Sequence, residues 1–68
     1  MTGINPEIIG KRLRDLRGER SQAEIADAVG VTSMAISQYE RGERVPSDNV
    51  KLKLAELFDV RVDLLFYC

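Results

Sequence analysis

The chain has 68 residues, 44% of them hydrophobic, 31% charged, and a formal net charge of −1. That length allows one small domain near the lower limit at which a core sustains itself. With no His and a single cysteine, Cys68, it excludes an internal disulfide and makes a zinc site implausible.

The predicted elements follow in chain order. Asn5 caps a first helix with Pro6 at its first position, where a missing N–H is no loss, and Ile4 staples onto Ile9 across the cap. This helix spans residues 6–17 and stops at Gly18. Ser21 with Glu24 forms a capping box that opens a second helix over residues 22–29. Gly30 follows the last apolar residue, at a C-cap where a left-handed backbone costs a residue with a Cβ roughly 1 kcal/mol or more. Val31 turns inward and Thr32 caps a third helix over residues 33–41. Arg44-Val45-Pro46 is extended, Ser47 caps a fourth helix over 48–58, and a short fifth spans 63–67. The expectation is an all-α domain of five helices occupying residues 1–68.

The stretch Gln22 to Arg44, QAEIADAVGVTSMAISQYERGER, carries the most information. Counting Gln22 as first, Ala26 is fifth, Gly30 ninth and Ile36 fifteenth, with Ile25, Val29, Val31 and Tyr39 at places four, eight, ten and eighteen. Two helices crossing steeply across a tight turn need a small residue such as Ala26 where the backbones approach. The apolar spacing gives both helices an inward stripe. This is the pattern of a helix-turn-helix.

In that docking mode the second helix enters the DNA major groove and its N-terminal residues meet base edges. Ile36 and Tyr39 define the buried side of the third helix, so Ser33, Met34, Ser37 and Gln38 are the candidate base readers. Gln38 can present a paired donor and acceptor to adenine N6 and N7, and Met34 can pack on a thymine methyl. Arg41, Arg44, Lys11 and Arg14 are the candidate phosphate contacts. Net charge argues against a polyanion partner, but distribution matters more than sum. Residues 1–20 hold Lys11, Arg12, Arg14, Arg17 and Arg20 against three acids, while Asp48, Glu56, Asp59 and Asp63 lie in the last third.

Residues 8–66 resemble the phage-repressor and Cro type of helix-turn-helix, the XRE family. The likeness runs through IGKRLRDLR, SQAEIADAVGVTSMAISQYERGERVPS and LAELFDVRVDLLF. It implies a compact five-helix domain of the lambda-repressor kind that regulates transcription, as a homodimeric repressor or controller on an inverted repeat of double-stranded DNA. It implies too that Gln22 contacts a phosphate and buttresses the recognition helix, and that Arg17 pairs with Glu40. Three departures stand out: Arg20 where an apolar residue is usual, Lys51 where an aliphatic one is usual, and weakly polar Ser33-Met34-Ala35.

Leu64, Leu65, Phe66 and Tyr67 are too many large groups for one side of a short helix, so a dimer interface is expected there. Ala26, Gly30, Ile36, Arg17 and Glu40 are expected to be structural. No metal, cofactor, membrane span or small-molecule effector is expected, and a cytoplasmic location is. Without His, a nucleophile and base pair, or a phosphate loop, an enzyme is not expected. A protein-interaction module that keeps the fold but has lost DNA binding is the alternative reading.

Overall fold

A computed structural model describes residues 5–67. The Oδ1 of Asn5 accepts from the Glu7 N–H at 2.7 Å, and with Pro6 in the first turn this starts α1, Pro6–Arg17. The Ile4 staple and Cys68 lie outside the described residues. The capping box closes both ways: Ser21 Oγ accepts from the Glu24 N–H at 3.1 Å, and Glu24 Oε1 accepts from the Ser21 N–H at 3.3 Å. It opens α2, Gln22–Val29, which ends with Gly30 at φ 77°.

Thr32 Oγ1 accepts from the Ala35 N–H at 3.1 Å and starts α3, Ser33–Glu40. Ser47 does the same for α4, Asp48–Leu57, through the Val50 N–H at 3.4 Å. The fifth helix, α5, is Val62–Phe66. The expected ends of α3 and α4 overran by one residue, because Arg41 and Phe58 serve as caps, and α5 begins and ends one residue earlier than expected. End turns fray over this range. Among the described residues there is no strand, and none of the helices is long and apolar enough to cross a membrane.

Every helix sends residues into one core. Ile9 and Leu13 of α1 meet Ile25, Ala26 and Val29 of α2, Ala35, Ile36 and Tyr39 of α3, Leu54 and Ala55 of α4, and Leu65 and Phe66 of α5. In this arrangement α3 lies against both α1 and α2, while α5 closes the far side against α1 and α4.

The α1 and α3 contact depends on Gly10. A methyl group placed there would stand 2.6 Å from the Tyr39 carbonyl oxygen and closer still to that of Glu40, so only a residue without a Cβ lets the helices approach this far. Arg12 anchors α5: its Nη1 donates to the Leu64 carbonyl at 2.7 Å, supplying a cation where carbonyls near the helix end need donors. Lys51, the polar departure on α4, is half-buried. Its Nζ donates to the Tyr67 hydroxyl at 3.0 Å and lies over the rings of Tyr67 and Phe66, at 4.7 and 5.6 Å. Arg20, a second departure, stacks 5.3 Å from the Phe58 ring centroid, so its stem and guanidinium cover surface that an apolar residue would otherwise cover.

Candidate nucleic-acid interface

The period of α3 divides its side chains cleanly. Ala35, Ile36, Tyr39 and Glu40 are buried, Ser33 and Met34 are exposed, and Ser37 and Gln38 are half-buried at the edge. Met34 is 70% exposed, a large apolar group held in solvent at the start of the helix. The Thr32 cap sets the direction of this first turn. All four candidate base readers therefore share the side of α3 away from the core. Ala35 does not join them, so the weak polarity of Ser33-Met34-Ala35 is partly the polarity of the core side.

The scaffold behind this face is a buried ionic network. Arg17 at the end of α1 donates through Nε to Glu40 Oε2 at 2.6 Å and through Nη2 to Oε1 at 3.0 Å. Gln22 Nε2 donates to the same Oε1 at 3.0 Å. The Glu40 side chain is only 3% exposed, and these three donors compensate the water it has lost. A third Arg17 hydrogen bond, Nη1 to the Arg20 carbonyl at 2.8 Å, ties in the turn before α2. The hydrogen bond to Glu40 raises the pKa of Arg17 above the ordinary arginine value, outweighing the desolvation that lowers it. Gln22 thus braces the C-terminal end of α3 from the first position of α2.

The four candidate phosphate-binding cations differ in state. Lys11 lies 3.2 Å from Asp15, one turn along α1, and Arg14 is exposed on the same helix. Arg41 holds both oxygens of Glu43, at 3.0 and 3.2 Å. Arg44 sits with its guanidinium carbon 6.0 Å from the Tyr39 ring centroid. Each of the two carboxylate pairs is exposed, and such pairs contribute about 0–1 kcal/mol, so either cation can exchange its carboxylate for another anion.

The C-terminal expectation needs correction. Leu65 and Phe66 are not available to a partner: they are 3% and 1% exposed and belong to the chain's own core. Leu64 and Tyr67, at 52% and 48%, remain at the surface: three residues apart, they fall on one side of the helical turn, while Leu65 and Phe66 between them face the core. Leu64 lines a shallow groove of about 290 Å³ with Arg12, Asp15, Leu16, Val60 and Leu65. Of the structural candidates, Ala26 and Ile36 are buried between α2 and α3, and Gly30 has the left-handed backbone of a C-cap. Sequence pattern alone does not mark the roles of Gly10, Arg12 and Glu43. Glu43 left a trace, an acid two residues beyond a base across a glycine in ERGER. Among the described residues no group of His, Cys, Asp and Glu could hold a metal ion.

Residues 11–65 match the family described as Helix-turn-helix. The chain belongs to this helix-turn-helix family, in its phage-repressor and Cro branch. Its fold is that of the lambda-repressor-like domains. The P22 c2 repressor, solved in complex with a synthetic operator, superposes with a TM-score of 0.82 at 35% identity, over 85% of this chain and 91% of that one. The restriction-modification controller protein C.AhdI of Aeromonas hydrophila superposes with a TM-score of 0.80, also at 35% identity, over 90% of this chain and 96% of that one. A Pyrococcus furiosus protein, provisionally named an HTH-type transcriptional regulatory protein, is 39% identical over 59 residues. That match covers 84% of this chain but 19% of the archaeal protein, so the helix-turn-helix chain spans about a fifth of that relative's length. The family's members here are transcriptional regulators, a class without enzymatic activity.

Proposed function

We propose that this chain is a sequence-specific DNA-binding domain that regulates transcription, with α3 in the major groove and Ser33, Met34, Ser37 and Gln38 facing base edges. The observation that carries the reading is the outward side of α3, free of core contacts at its N-terminal end and braced from behind by the Arg17, Glu40 and Gln22 network. The 35% identity to a repressor solved on its operator supports it. Arg41, Arg44, Lys11 and Arg14 bind phosphates and set position, not sequence. Gln22 gives one amide N–H to Glu40 and keeps a second, which adds a phosphate contact at the start of α2.

The domain acts as a cytoplasmic homodimer on an inverted repeat, as a repressor or controller. Exposed Leu64 on α5 and Tyr67 just beyond it support pairing there, and twofold symmetry sets the two recognition helices about one DNA turn, roughly 34 Å, apart. No small-molecule effector enters this reading. A gel shift at low salt on palindromic duplexes from upstream of its own gene tests it: a retarded band lost on adding salt supports DNA binding.

One observation favours a second reading, a protein-interaction module with this fold. The net charge is −1, and Lys11, Arg41 and Arg61 are each satisfied by a carboxylate of the same chain. Absence of any shift at low salt selects that alternative.

A further inference from the structure

We propose that Glu43 is an internal competitor for DNA phosphate: it occupies the guanidinium fork of Arg41 and thereby lowers the affinity of the domain for every duplex, whatever its sequence. The inference rests on the DNA-binding reading above.

Arg41 Nε donates to Glu43 Oε2 at 3.0 Å and Nη2 donates to Oε1 at 3.2 Å, the two-pronged arrangement by which an arginine also grips a phosphate. The same edge of the guanidinium cannot serve both anions at once. The pairing is built into the backbone, because α3 ends in a left-handed turn. The Gly42 N–H donates to the Tyr39 carbonyl at 3.2 Å, the Glu43 N–H donates to the Gln38 carbonyl at 2.9 Å, and Gly42 has φ 75°. This turn fixes where Glu43 leaves the chain relative to Arg41. Gly42 is itself hemmed in, since a methyl group there would stand 2.9 Å from Cγ of Glu7 on α1.

Helix stability does not account for the carboxylate. The C-terminal end of a helix carries partial negative charge, so an acid beside it is unfavourable and a base would be preferred. Glu43 also adds negative charge on the side of the molecule where Arg41 and Arg44 gather. Its effect is on association: both members of the pair are 54% exposed, and an exposed pair is weak enough for a dense row of phosphates to displace. Displacing it costs the same on every sequence, so affinity falls and the ratio between operator and other DNA does not.

The test is a double-mutant cycle read by fluorescence anisotropy on a labelled duplex of scrambled sequence, using wild type, Glu43→Gln, Arg41→Ala and the double variant. Circular dichroism checks that each is folded. Glu43→Gln should tighten binding about threefold to fivefold in the wild-type background. It should also steepen the slope of log K against log salt by up to about 0.9, one additional neutralised phosphate. In the Arg41→Ala background the same change should alter affinity less than about twofold, since a competitor has no effect without the group it competes for. An equal gain in both backgrounds means simple repulsion of DNA by Glu43 and overturns the proposal, as does no gain in either. Binding by none of the four proteins overturns the DNA-binding reading and the proposal with it.

Discussion

Arg17 and Glu40, 23 residues apart, meet through two hydrogen bonds of 2.6 and 3.0 Å, and this pair holds the end of α1 to the end of α3. The carboxylate is buried and Gln22 completes its coordination. The end of α3 is thus fixed to two other helices at one carboxylate, which holds its outward side rigid.

Arg17→Met leaves Glu40 buried with only the Gln22 donor, and stability falls by about 3 kcal/mol. Pairing it with Glu40→Leu recovers much of the loss, since the uncompensated charge is gone. Urea titration of both variants checks this, and a fall below about 1 kcal/mol for the single change contradicts it. The pH dependence has a definite sign. Arg17 has a raised folded-state pKa, so its contribution is complete below the unfolded arginine value and is lost only as pH rises through the folded one. The arginine side of the pair therefore contributes equally at about pH 6 and about pH 9.

Gly10→Ala separates packing from helix propensity. At an ordinary helix interior the change stabilises by about 1 kcal/mol, yet here the methyl group meets the Tyr39 and Glu40 carbonyls. The domain loses about 1–3 kcal/mol as α1 and α3 are pushed apart. A raised melting temperature contradicts the close approach.

Asp59 ends α4 with φ 55°, and the following Val60 N–H donates back to the Ala55 carbonyl at 3.0 Å. A non-glycine residue in this conformation is strained. Asp59→Gly should stabilise by about 0.5–1 kcal/mol, the relief of strain less the entropy that glycine adds to the unfolded chain. Thermal denaturation reads the result, and a lower melting temperature counts against it.

Local signals carried most of the architecture. Asn5, Ser21, Glu24, Thr32 and Ser47 each bond a backbone N–H within three residues, so their roles are legible without knowing the rest of the chain. The helical period likewise separated Ile36 and Tyr39 from Met34. What remained hidden depends on contacts across the chain. Gly10 looks like a weak point in a helix until α3 is laid over it, and Arg12 looks like surface charge until the end of α5 arrives beside it. In Leu64-Leu65-Phe66-Tyr67 all four residues are large and apolar or aromatic, so composition alone does not say that Leu65 and Phe66 turn inward. The Arg17 and Glu40 pairing came from resemblance to a family, not from spacing.

Gln38→Ala should leave the fold intact and relax preference at one base pair, reducing discrimination there by about 1–3 kcal/mol. Binding to a panel of single-base variants of the selected site reads this directly. Unchanged preference at every position removes Gln38 from the reading face.

Selection from a pool of random duplexes, followed by anisotropy across a salt series, asks whether the outward side of α3 reads duplex DNA. A DNA-reading α3 enriches an inverted repeat with half-sites about one helical turn apart. The selected site is bound at least about a thousandfold more tightly than scrambled DNA, with log K falling linearly in log salt from about 50 to about 200 mM. A pool that stays random after repeated rounds, with no binding at about 50 mM salt, contradicts it.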